Sequence, residues 1–113
     1  MAETSSIRAA AVQIAPDLET SGGTVSKVLD AIAEAAGKGS HLAVFPETFV
    51  PWYPYFSFVH PPVLTGAEHI RLYENAVAVP GPVTEAVAAA ARRHDIVVVL
   101  GINERDHGSL YNA

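Results

Sequence analysis

Short unbroken apolar runs punctuate the chain at Ile7–Ile14, Leu42–Phe45 and Ile96–Ile102. Their length and their content of alanine and β-branched residues predict strands. Between the first two runs, Val25, Val28, Leu29, Ile32 and Ala36 recur at helical spacing, which predicts a helix over Thr24–Gly37. Ser21 or Thr24 is placed to cap its start, Gly37 and Gly39 to stop it, and Lys38 sits near the negative end of its dipole. Strand, helix and strand of these lengths predict a βαβ unit with a parallel pair and a right-handed crossover. A short helix is expected over Gly66–Asn75, with Ile70, Leu72 and Tyr73 apolar. Pro82 fits the first position of another helix, whose stripe of Val83, Ala86, Val87, Ala90 and Ala91 runs on to Arg93. Ile96–Ile102 is apolar throughout and is therefore expected to be a central strand. Asn103–Gly108 is expected to be a charged turn, and Ser109–Asn112 the start of a further strand, antiparallel because the connection is short. His60-Pro61-Pro62 predicts an irregular connection, and polar Met1–Ser6 a loose end. The fold class is α/β, without internal repeats or a second domain.

The chemistry gathers in Leu42–Phe58, LAVFPETFVPWYPYFSF. Leu42–Phe45 is expected to be buried on both faces. Pro46 stops the strand because it has no N–H for a ladder. Glu47 follows as a lone carboxylate among aromatic residues, and only Tyr73 and Tyr111 among the aromatics lie outside this stretch. A carboxylate at the carboxyl end of a buried strand stands where open α/β sheets keep their ligands. An apolar surround suits such a group to proton transfer at neutral pH. The plainer reading is a solvated or capping carboxylate after a strand. Gln13, the polar exception in the first strand, is expected to be a buried amide satisfied by backbone. His60, in a proline-rich loop, is expected to be exposed. Gly22-Gly23 has no phosphate-binding pattern around it, and the histidines and carboxylates show no metal-ligand spacing, so no metal is expected.

Composition narrows the classes. A chain of 113 residues is one domain's worth or less, and with half its residues apolar and 17% charged it is globular. A net charge of −5 argues against nucleic acid or an anionic membrane as partner. No charged leader followed by a long apolar segment is seen, and no run of membrane-spanning length, so a soluble cytoplasmic protein is expected. The absence of cysteine excludes disulfides and thiolate metal sites within these residues.

Phe45-Pro46-Glu47 after an apolar strand, followed by Val50-Pro51 and Tyr53-Pro54, resembles the first signature of the nitrilase family within the carbon–nitrogen hydrolase superfamily. Ala9–Pro16, Val79–Ala91 and Val97–Asn112 are similar to the family's sequence in the same order. The resemblance implies a four-layer α-β-β-α sandwich, of which residues 1–113 would be the N-terminal portion of a single domain. It implies a Glu–Lys–Cys triad in which Glu47 is the general base. Lys27 and Lys38 match no catalytic position, and the cysteine has no counterpart here, so the lysine and the nucleophile would come from sequence beyond these residues. Tyr53 matches an aromatic residue lining the substrate pocket, with Trp52 and Tyr55 as further candidates. Pro46 and Pro51 would fix the direction of the Glu47 loop. Glu104 matches a family carboxylate and is expected to pair with Arg105 or with an adjacent chain segment. The resemblance implies a small-molecule nitrile as substrate, no cofactor, and homo-oligomers that are dimers or spirals. Two other readings share these residues: an amidase or carbamoylase of the same superfamily, and a non-catalytic α/β fragment that needs a partner segment.

Overall fold

A computed structural model describes residues Ser5–Ala113. Of the end expected to be loose, Met1 to Thr4 lie outside the described residues. The chain forms β1 (Ala9–Ala11), α1 (Ser21–Gly37), β2 (Leu42–Val44), α2 (Phe56–Val59), a 3-10 turn at Pro62–Leu64, α3 (Gly66–Asn75), α4 (Pro82–Arg93), β3 (Val97–Val99), β4 (Asn103–Asp106) and β5 (Ser109–Asn112).

Strands β1, β2 and β3 make a parallel sheet in that order, so β2 lies in the middle and β3 at an edge. The apolar character of Ile96–Ile102 therefore does not make it central. The register explains how an outer strand can be so apolar. Ala10, Ala43 and Val98 form one cross-strand row and turn toward the helices, while Ala11, Val44 and Val99 form the next row and turn away. Ala43 is buried, whereas Val44, Val97 and Val99 are exposed. The expectation that Leu42–Phe45 is buried on both faces thus holds for one face only. Helices α1 and α4 cover that face, and the described residues supply nothing for the other.

Thr20 caps α1, not Ser21 or Thr24: its Oγ1 accepts from Gly23 N at 3.0 Å, and the helix starts a turn earlier than its apolar stripe. Thr24 is buried and ties the helix to the loops instead, donating from Oγ1 to the Pro51 carbonyl at 2.9 Å. Gly39 supplies the left-handed residue after the helix, at φ 81°. Val28, Ile32 and Ala35 of α1 meet Val87 and Ala90 of α4 above Ala43, Phe45 and Ile96. The alanines let helices lie close to each other and to the sheet. Helices α3 and α4 have the expected bounds. Phe56–Val59 is helical and a 3-10 turn begins at Pro62, so the proline run is more ordered than expected; proline suits a first helical position.

Asn103–Asp106 is a strand, not a turn. It pairs antiparallel with β5 through a tight turn at His107-Gly108, with φ of 48° and 83°. Two consecutive positive φ values match the twist of a hairpin. Gln13 is exposed, so the expected burial of its amide does not occur.

Candidate active site

Between Phe45 and Val50 the chain leaves the sheet and returns to it. Phe45 N donates to the Val99 carbonyl at 2.9 Å, and Val50 N to the Gly101 carbonyl at 3.2 Å. Pro46, Glu47, Thr48 and Phe49 make the excursion between these anchors. Phe45 and Phe49 are both buried, their ring centroids 5.9 Å apart, and they pin the two ends of the loop into the core. Thr48 sits at φ 43°, a region that a β-branched residue rarely adopts. Its hydroxyl is buried and, among the described residues, has no hydrogen-bond partner. Gly101 runs directly beneath the loop. A methyl at Gly101 would strike the Pro46 carbonyl oxygen and come within 2.7 Å of Thr48 N.

The loop raises Glu47 into an open groove of about 560 Å³ whose lining includes Ile14, Leu18, Trp52, Tyr53 and Tyr55. Glu47 is exposed, so the apolar residues border it without enclosing it. Its Oε1 accepts a hydrogen bond from Asn112 Nδ2 on β5. The groove combines one acceptor of protons with apolar and aromatic walls, the composition of a small-molecule site.

The four residues expected at the site, Glu47, Trp52, Tyr53 and Tyr55, line this one groove. Trp52 is largely buried and is held from two sides. Asn103 Nδ2 donates to its carbonyl at 2.9 Å, and the Arg71 guanidinium lies 4.8 Å from the ring centroid. Tyr53 is half-buried between Tyr55, at 4.9 Å, and the stacked ring of Phe58, at 6.0 Å. His60 is exposed and lies outside the groove. Glu104 faces Tyr111 across the hairpin and does not pair with Arg105 among the described residues. Arg105 instead donates to the Tyr73 carbonyl at 3.2 Å and rests its guanidinium on that ring at 5.2 Å. Alternation along β4 sends neighbouring side chains to opposite faces, which separates the expected pair. Ile14, Leu18 and Asn112 join the site from other parts of the chain.

Among the described residues no group of histidines and carboxylates is placed to hold a metal ion. No helix among them is long and apolar enough to cross a membrane.

The sequence profile of the carbon-nitrogen hydrolase family matches residues 8–113. A nitrilase of Paraburkholderia phymatum is 74% identical over 106 residues, which are 94% of this chain and 31% of that protein. An aliphatic nitrilase of Rhodococcus rhodochrous is 43% identical over 96% of this chain and 30% of its own length. An arylacetonitrilase of Aspergillus oryzae is 36% identical over 95% of this chain and 32% of its own. The chain therefore spans about a third of the length of the curated relatives it matches. With the family profile running from β1 to the end of the hairpin, this chain belongs to the carbon–nitrogen hydrolase family.

Proposed function

We propose that these residues are the N-terminal portion of a nitrilase, within a single four-layer α-β-β-α domain, and that Glu47 is its general base. The observation that carries the reading is the lone carboxylate at the carboxyl end of β2, standing in an aromatic groove. Similarity to curated nitrilases across nearly the whole chain supports it. Glu47 takes the proton of a cysteine thiol contributed by sequence outside these residues. The S–H electron pair stays on sulfur, and the thiolate attacks the nitrile carbon to give a thioimidate. A lysine, also from outside these residues, faces the charge that develops on nitrogen. Water adds, ammonia leaves and a thioester remains. Glu47 then draws a proton from a second water, which attacks the thioester and releases the carboxylic acid. One nitrile and two waters become one acid and one ammonia.

The walls formed by Trp52, Tyr53 and Tyr55 suit a nitrile with an apolar body, which fits relatives named for aliphatic nitriles and arylacetonitriles. The reading includes a cytoplasmic homo-oligomer. The test is the complete protein's turnover of a nitrile and of its matching amide. The proposal expects acid and ammonia from the nitrile in preference to the amide. Preference for the amide would instead make the protein an amidase.

A further inference from the structure

We infer that Asn112 is a positioning residue that orients the Glu47 carboxylate. The inference rests on the reading of Glu47 as general base and adds to it a partner from 65 residues further along the chain.

An exposed glutamate on a loop samples several rotamers, and a base that wanders is aligned with its proton only part of the time. Glu47 is exposed among the described residues, so none of them restricts it by burial. The Asn112 carboxamide restricts it instead by donating to Oε1. Among the described residues no second donor reaches the carboxylate, so Oε2 carries no hydrogen bond from them and stays open to a proton. The N–H donor holds one oxygen and thereby sets the direction of the other.

Asn112 is itself fixed in place. It pairs in register with Asn103, and the next residue, Ala113, exchanges two backbone hydrogen bonds with Ile102, at 2.9 and 3.0 Å. Asn103 N donates to the Val50 carbonyl at 2.9 Å, which returns the hairpin to the far end of the Glu47 loop. Gly101, the neighbour of Ile102, supports that loop from below. One short segment, Gly101 to Asn103, therefore sets the position of both the carboxylate and its donor. An asparagine that served only the strand would not need its side chain on the catalytic loop.

The test uses the complete enzyme with three variants: Asn112→Ala, Asn112→Asp and Glu47→Gln. Asn112→Ala removes the donor from an exposed position, so the thermal midpoint should stay within about 2 °C of the parent. Its kcat should fall about tenfold while KM changes less than twofold, because the lost alignment matters to proton transfer rather than to substrate binding. Asn112→Asp, which cannot donate when ionised and places a like charge beside Glu47, should lose more. An unchanged kcat in Asn112→Ala, or a loss matched by a fall in thermal midpoint, overturns the inference. So does Asn112→Asp retaining more activity than Asn112→Ala. Glu47→Gln separates the two levels: if it abolishes turnover while Asn112→Ala does not reduce it, Glu47 stands as base and Asn112 fails. If Glu47→Gln keeps turnover, the base assignment fails and the inference falls with it.

Discussion

At Gly101 the backbone of the Glu47 loop occupies the space a side chain would need. Gly101→Ala would push the methyl into the Pro46 carbonyl and toward Thr48 N, both backbone atoms that cannot swing away. We expect a loss of about 1–3 kcal/mol in stability, typical of overpacking, and lower turnover because the loop itself moves. The contrast is Gly22, exposed in the first turn of α1, where a methyl would meet nothing within 4 Å. Gly22→Ala should raise stability by up to about 1 kcal/mol through helix propensity. Denaturant titration of the two variants in the complete protein tests both expectations, and equal effects would contradict them. These residues also show what a sequence can reveal at this scale. Glu47, Trp52 and Tyr53 are legible because they fall in one contiguous stretch with a recognisable pattern. Gly101 and Asn112 are not, because their roles arise from a loop folding onto a segment far along the chain. Ile14 and Leu18 join the groove the same way, and nothing in their local sequence marks them. The exposure of Glu47 is likewise invisible in a string that surrounds it with aromatic residues.

Helices were the most legible elements. Gly66–Asn75 and Pro82–Arg93 carry their periodicity locally, and Pro82–Arg93 its end signals as well, in Pro82 and Arg92-Arg93. The start of α1 was less so, since an apolar stripe marks the buried face and not the cap. Thr20→Ala removes the side-chain acceptor for Gly23 N and should cost about 1 kcal/mol. Substitution of Ser21, whose side chain is not the cap, should cost less than half of that. An equal loss at the two positions in thermal melts would contradict the cap assignment. Near the other end of α1, Lys38 lies 2.7 Å from Glu34. The hydrogen bond and charge of Lys38 hold the Glu34 carboxyl below its ordinary value. A lowered folded value makes the pair favourable above the ordinary range, and the benefit is lost as pH falls through the folded value. Both partners are exposed, so Glu34→Gln should change the neutral-pH melting point by no more than about 1 °C. Strand order was the least legible property. An apolar β3 reads as central, but its place depends on which strands flank it, and the register reveals only one helix-covered face. The β4–β5 hairpin was hidden because charged residues fill β4. The glycine after His107 was the one signal of its tight turn.

The molecule as a whole is extended for its length, with a radius of gyration of 16.0 Å against about 13 Å for a compact chain of this size. The sheet face bearing Val44, Val97 and Val99 is exposed, as are Phe58 of α2 and Val63 and Leu64 of the 3-10 turn. Apolar surface of this kind favours association. These 113 residues on their own should therefore be oligomeric or aggregated, and a monodisperse monomer by light scattering with cooperative unfolding would contradict that. They should also hydrolyse neither nitriles nor amides above background, since they contain no cysteine; turnover by the pure chain would refute this. Class and family motif were legible at this scale because they need only order along the chain, whereas the uncovered sheet face needed the register. The central claim is that Glu47 acts as the base of nitrile hydrolysis. Glu47→Gln is nearly isosteric, so the variant of the complete enzyme should keep its thermal midpoint. Removing a general base costs about two to four orders of magnitude in rate, and a base used in both half-reactions should lie at the upper end of that range or beyond it. The most direct measurement is nitrile turnover by that variant beside the parent: a loss of about 10⁴-fold or more with an unchanged midpoint is the result expected, and turnover within about tenfold of the parent would contradict it.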